Sequence, residues 1–257
     1  MKNLSYVEAV ESASHYNRLY QYTTYEALEK IITNNSLRLT RIDLLNDGVE
    51  NQKIFKLWKN KVYVSCFTHR EDESYFFWET YAKRSLEGIR ISFETKQLHH
   101  LSIHPDETCE KDALVECKRS DCNHIFSSKD DLSSWGVRDY SCVDIAYVPR
   151  NLTFDDDDNF QGRIKYTEWD MEAETRLRVA IRPKCLEFYL NDTEFEYYTP
   201  ENKYIFAKLP KSALKSMTIT LSPHASIATK KKLDRLLKDN NLYEDVVILE
   251  SILTGEV

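Results

Sequence analysis

The chain has 257 residues, 42% of them hydrophobic and 30% charged, with a formal net charge of −7. That balance belongs to a folded globular protein and excludes a disordered one, and the acidic total supplies no overall field to draw in nucleic acid. No apolar run approaches the ~20 residues that a membrane-spanning helix needs.

The opening MKNLSYVEAVESASHY lacks the apolar stretch of a secretory signal. A soluble, cytoplasmic protein with no membrane partner is therefore expected. Six cysteines in a chain of this length are too few for a disulfide scaffold, so reduced thiols are expected. Five glycines and six prolines are spread along the length with no low-complexity linker. We expect one domain spanning 1–257, with an irregular insertion over about 95–141.

In chain order, RLYQYT reads as an apolar-aromatic strand ending at Thr23 and Thr24. Thr23 and Glu26 have the Thr-x-x-Glu spacing of a capping box, which satisfies the free N–H groups at a helix start. The helix carries Ala27, Leu28, Ile31 and Ile32 on one face, and Asn34 and Asn35, both tolerant of the left-handed conformation, close it. SLRLTR alternates like a half-buried strand, and Asn46-Asp47-Gly48 signals a turn. KVYVSCFT is a buried strand. ESYFFWETYAKR is an aromatic helix or turn with Phe77, Trp78 and Tyr81 at helical spacing, and GIRISFE is a further strand. After a weak pattern from Thr95 to Ser141 come the strands SCVDIAYV, Thr175–Ile181, KSMTITLSP and EDVVILESIL, with the helix SIATKKKLDRLLKDN before the last. Many strands without regular strand–helix alternation predict an α+β fold with a mostly antiparallel or mixed sheet.

GxGxxG, GxxxxGK[ST] and GxSxG are all absent, so dinucleotide-fold, P-loop and α/β-hydrolase readings have no support. Cys109, Cys117, Cys122 and His124 fall in one segment but match no zinc spacing, and no metal is expected. FDDDDNFQG lacks the alternation of a calcium loop and reads as a solvated turn. Arg38, Arg41 and Lys61, or TKKKLDRLLK, can form a local basic patch; the plainer reading of the latter is a solvated helix face.

Three elements carry chemistry: Gln21-Tyr22-Thr23 at the end of a strand before a helix, Tyr81 in its aromatic segment, and Glu172-Ala173-Glu174 entering a strand. Residues two apart in a strand face one side, so an extended Glu172 would bring two carboxylates together. Such a pair either serves a site or is matched by Arg176 and Arg178 in a surface ladder. Tyr81 reads equally as core packing or as a stacking platform, and Tyr22, alternating with Gln21, reads as core.

The stretches LYQYTTYEALEKIITNNSLRLTRIDLLND, VYVSCFT, FFWETYA with GIRISFE, KYTEWDMEAETRL and LPKSALKSMTITLSPHAS resemble, in order, the bacterial domain-of-unknown-function family 2971. That family is more faintly similar to the ADP-ribosyltransferases of the poly-ADP-ribose polymerase, DarT and tRNA phosphotransferase type. Those begin with a His-Tyr-Thr/Ser triplet on a strand before a helix, where this chain has Gln21-Tyr22-Thr23. The order of VYVSCFT, Tyr81 and GIRISFE follows their second element, and Glu174 matches the Glu that opens a late strand. Glu172-x-Glu174 is similar to the Glu/Gln-x-Glu motif of toxin-type transferases.

The resemblance implies a split mixed or antiparallel β-sheet core with flanking helices and NAD as the substrate. Tyr81 would stack on nicotinamide. Gln21 would bond the adenosine ribose, with Tyr22, Thr23, Arg41 and Ser65 completing the cofactor-binding set and Arg41 placed for a phosphate. Glu174 would stabilise the developing oxocarbenium charge, and Glu172 would orient or deprotonate an acceptor, protein or nucleic acid. Gln21 departs from the pattern: an amide donates and accepts but supplies neither charge nor imidazole. By family analogy the activity would be that of an NAD-cleaving toxin in phage defence. The alternatives are a catalytically altered module that binds a nucleotide or partner, and a nucleic-acid-processing enzyme.

Overall fold

The computed structural model describes residues 16–45, 60–82, 86–114, 135–150, 162–183 and 200–255. The opening segment before Tyr16, the Asn46-Asp47-Gly48 turn, the acidic stretch 154–161, and Cys117, Cys122 and His124 lie outside the described residues. Among the described residues no helix is long and apolar enough to cross a membrane.

In chain order the strands are β1 (Arg18–Thr24), β2 (Ser36–Arg41), β3 (Val62–Thr68), β4 (Gly88–Glu94), β5 (Ser102–His104) and β6 (Trp135–Asp144). They continue as β7 (Ala146–Val148), β8 (Ile164–Tyr166), β9 (Glu174–Pro183), β10 (Tyr204–Lys208), β11 (Thr218–Leu221) and β12 (Val247–Glu250). The α-helices are α1 (Tyr25–Asn34), α2 (Tyr75–Tyr81), α3 (Lys211–Lys215) and α4 (Ile227–Asp239). The fold is α+β with a mixed sheet and few helices, as the pattern predicts. β5 and the first half of β6 fall in the stretch where the sequence pattern is weak. The chain divides into two compact units. One comprises Ser14–Leu37, Phe67–Leu101 and Lys208–Val257; the other comprises Met1–Ala13, Arg38–Cys66 and Ser102–Ala207.

In the first unit the strands lie in the order β12-β11-β4-β1. β12 runs parallel to β11, while β11–β4 and β4–β1 are antiparallel. The full-length register from Arg18↔Glu94 to Thr24↔Gly88 sets Gln21 opposite Ile91 and Tyr22 opposite Arg90. Leu19, Ile89, Ile91 and Phe93 are sealed on the Gln21 face. On the opposite face Tyr22 packs edge-on against Phe77 and Trp78 of α2, with ring centroids 5.2 and 4.8 Å away. Glu73 secures this cluster: it accepts from Trp78 Nε1 at 3.0 Å, Ser251 Oγ at 2.6 Å and Ile252 N at 3.0 Å.

Helix α1 buries Leu28, Ile31 and Ile32 as expected, joined by Tyr25 in preference to Ala27; each fully buried side chain of this size is worth ~1.5–3 kcal/mol. The cap differs from the expectation by one position. Thr24, not Thr23, accepts from Ala27 N, because β1 pairing runs through Thr24 before the chain turns. Glu26 then sits inside the first turn, bonded to Lys30 at 3.2 Å across one exposed turn. Asn35 closes the helix in the left-handed conformation (φ 49°) with its N–H on Ile31 O. Thr24→Ala is expected to lower the urea midpoint by the equivalent of ~0.5–1 kcal/mol, the low end because the 3.4 Å bond is long. No change in midpoint would show that the hydroxyl is not the cap.

Helix α4 begins on Ser226, whose hydroxyl accepts from Thr229 N at 3.1 Å. It buries Leu233, Leu236 and Leu237, while Lys230 pairs with Glu250 and Lys232 with Glu87 at the surface. The lysine run is a solvated helix face.

In the second unit β9 pairs antiparallel with β6 from Trp135↔Pro183 to Asp144↔Thr175, and with β3 through Ile181 N to Lys61 O at 2.9 Å. β3 pairs antiparallel with β2 at Thr40↔Val64, and β10 and β5 follow beyond β2. β7 and β8 form a separate parallel pair. Ile42, Val62, Val64 and Ala180 make a buried cluster. Lys61 is buried at 1% exposure, so it cannot contribute to a surface basic patch.

Candidate functional site

The most unusual chemistry in the second unit lies where β9 begins. Residues Thr167–Glu172 form a 3-10 turn that ends on Ala173 in the left-handed conformation (φ 42°, ψ 54°). Alanine in that region costs ~1–2 kcal/mol because its Cβ crowds the carbonyl, and such strain gathers at working sites. The kink turns Glu172 back beside Glu174. The carboxylates are thus brought together by a left-handed residue and not by the strand alternation that the sequence suggests.

Both carboxylates meet one ammonium. Lys165 Nζ on β8 lies 2.6 Å from Glu172 Oε2 and 2.7 Å from Glu174 Oε2. Arg176 Nε donates to Glu174 Oε1 at 2.6 Å and its Nη2 to Oε2 at 3.3 Å. Arg176 is completely buried, and the Glu174 side chain is 5% exposed. The Cys66 thiol donates to Glu174, and Glu174 N donates to Tyr147 Oη at 2.8 Å. This is a buried ion cluster and not the surface ladder that is one of the two readings of the pair. Arg178 pairs with Asp139.

The electrostatics follow from these distances. Burial opposes ionisation of Glu174, but Arg176 and Lys165 outweigh it and hold the carboxyl at about 2. Burial would deprotonate Lys165, yet Glu174 and Glu172 hold it well above its ordinary range. Burial and the Glu174 charge push the Cys66 thiol well above its usual value, so it is not a nucleophile at neutral pH. At pH 7 Glu174 is held as an anion and Lys165 as a cation.

The other residues marked by the sequence are placed as follows. Tyr22 is buried, its hydroxyl accepting from Ser74 N at 3.0 Å, with the Arg90 guanidinium 5.5 Å from its ring centre; it is core. Gln21 is half-buried on the opposite face of β1, and Thr23 lies with it. Tyr81 is 42% exposed at the end of α2, its ring 5.8 Å from that of Phe77. Period-two alternation therefore carries Tyr22 toward α2 and Gln21 away from it. In the first unit the ring contacts run Tyr22–Phe77–Tyr81.

In the second unit Arg41 is committed: it forks onto Asp43 at 2.8 and 3.1 Å and donates Nη1 to Pro200 O at 2.7 Å. Ser65 is buried on β3. Cys109 is buried at a left-handed turn residue, its N–H on Asp106 O. The partners of the carboxylate pair were the part missed by sequence reasoning. Lys165 is polar in a three-residue strand and Arg176 alternates with leucine and valine, which is the pattern of an ordinary exposed face.

Comparison with protein-family models, with curated proteins and with solved structures finds no match to this chain.

Proposed function

We propose that the chain is an ADP-ribosyltransferase or NAD-cleaving toxin of the ADP-ribosyltransferase-like fold, with Glu174 as its catalytic carboxylate. The observation that supports the reading is a glutamate at the first residue of a late strand, beside a second acid and held ionised by Arg176 and Lys165. When the bond from ribose C1 to nicotinamide breaks, the electron pair leaves with nicotinamide and positive charge grows on the ribose. A carboxylate locked in its anionic form favours that charge without first losing a proton. Glu172, beside it on the same lysine, orients the incoming nucleophile. Gln21 and Tyr81 lie toward opposite faces of β1, so they do not grip one ligand together as the resemblance implies.

The test is nicotinamide release from NAD, with and without a protein or nucleic-acid acceptor fraction. Glu174→Gln is expected to lower the rate by ~10²–10³-fold, the loss typical of removing one preorganised charge-stabilising group. Wild-type protein that neither binds nor cleaves NAD would overturn the proposal.

One observation favours a second reading, a module of the same fold that binds a nucleotide or partner without turnover. Both Glu174 oxygens already accept from cations of the chain itself, which leaves little of the carboxylate for a substrate. Saturable NAD binding with no nicotinamide release would select it.

A further inference from the structure

A second cluster of charge lies on the β6–β9 pair of the second unit. Arg163 Nη2 donates to Asp139 Oδ2 at 3.2 Å, and Arg178 Nη1 donates to the same oxygen. Both guanidiniums are buried, with side chains 7% and 4% exposed, whereas Asp139 is 40% exposed. Two guanidiniums therefore share one oxygen of one acid, and that acid marks where the cluster reaches solvent.

Two further polar atoms there have no partner. Arg163 Nε and Ser141 Oγ are sealed from water and make no hydrogen bond. Ser141 is the cross-strand neighbour of Arg178, and the register shift between Val137 and Asp139 leaves Arg138 at the irregularity. A bulge of this kind re-aims side chains and is common beside functional sites. Gly162 (φ 69°) turns the chain immediately before Arg163.

A buried donor left unsatisfied costs more than an average hydrogen bond returns. Like charges held around one carboxylate add to that cost. A tetrahedral oxyanion answers both: it accepts from a guanidinium fork in two places and from a hydroxyl in a third. We propose that Arg163, Arg178 and Ser141 bind the phosphate group of a small phosphorylated ligand, entering beside Asp139. Burial, and then the Arg163 charge, lower the Arg178 pKa to about 10 against the pull of Asp139, as expected of two guanidiniums held close together. None of these residues takes part in the NAD reading, so the two stand or fall separately.

Calorimetric titration of the whole chain with inorganic phosphate, at ionic strength fixed with potassium chloride, tests the site. Saturable one-site binding is expected. Ser141→Ala should weaken it by ~2–10-fold, the range of one neutral hydrogen bond. Arg163→Gln should weaken it by ~10–100-fold, the range of a charge-assisted bond. Should Arg163→Gln not fold, Arg163→Lys, which keeps the charge but loses the planar fork, should still weaken binding measurably. Absence of saturable binding by ~10 mM phosphate, weaker than any useful site, overturns the proposal. So does binding unchanged in both Ser141→Ala and Arg163→Lys.

Discussion

Lys165→Met is expected to destabilise the second unit by ~3–5 kcal/mol, the cost of removing one partner from a buried ion cluster. Methionine matches the lysine stem in size, so the loss is of charge and not of packing. Lys165 Nζ lies within 2.7 Å of both Glu172 and Glu174. Without it Glu174 keeps Arg176, while Glu172, 4% exposed, loses a close cation in a setting where water cannot replace it. The double variant Lys165→Met/Glu172→Gln should recover part of the loss, since a neutral amide is far less costly to bury than a carboxylate that has lost its ammonium. Urea melts of the three proteins decide the matter. A Lys165→Met midpoint indistinguishable from wild type would mean that the cluster is solvated and that Glu172 and Glu174 are ordinary surface acids.

Acid lability is the second large effect, and its sign is set by Glu174. Its pKa falls from 4.5 to about 2 on folding. The folded state therefore holds the deprotonated form more strongly than the unfolded chain does. That contribution is fully present above pH ~4.5 and is lost as pH falls toward ~2, and it amounts to ~3 kcal/mol by proton linkage. Glu174→Gln removes the titration, so its stability should change less with pH across that window while being lower at pH 7. Denaturation midpoints at several pH values between about 6 and 3 measure both features. Equal slopes in wild type and Glu174→Gln would remove Glu174 from the explanation. The same experiment bears on function, because a carboxylate that stays ionised down to acidic pH can steady a cationic transition state but is a poor proton acceptor.

How much of this was open to inspection in the residues themselves differs by element. Period-two alternation in RLYQYTT, VYVSCFT and GIRISFE, and the 3.6 periodicity of YEALEKIITN with its asparagine close, locate β1, β3, β4 and α1, because local backbone geometry decides which side chains share a face. The same alternation carries the separation of Gln21 from Tyr22. The cap falls on Thr24, one residue later than the Thr-x-x-Glu spacing predicts, since the strand pairing of Thr24 with Gly88 is a contact between distant segments. β5 and β10 are short and polar-edged and give little periodic signal.

The candidate sites divide in the same way. That Glu172 and Glu174 deserve notice follows from their spacing and composition. That they share a lysine, that Arg176 forks onto one of them, and that Arg163 and Arg178 crowd onto Asp139 does not. Sequence alone determined the class of fold, the chief strands and helices, and the residue types available for chemistry, all consequences of short-range sterics and hydrophobic pattern. The tertiary structure decided which charges are desolvated and which partner each acquires. Those depend on strand register and on a single left-handed alanine, because electrostatic energies turn on a few ångströms and on the exclusion of water.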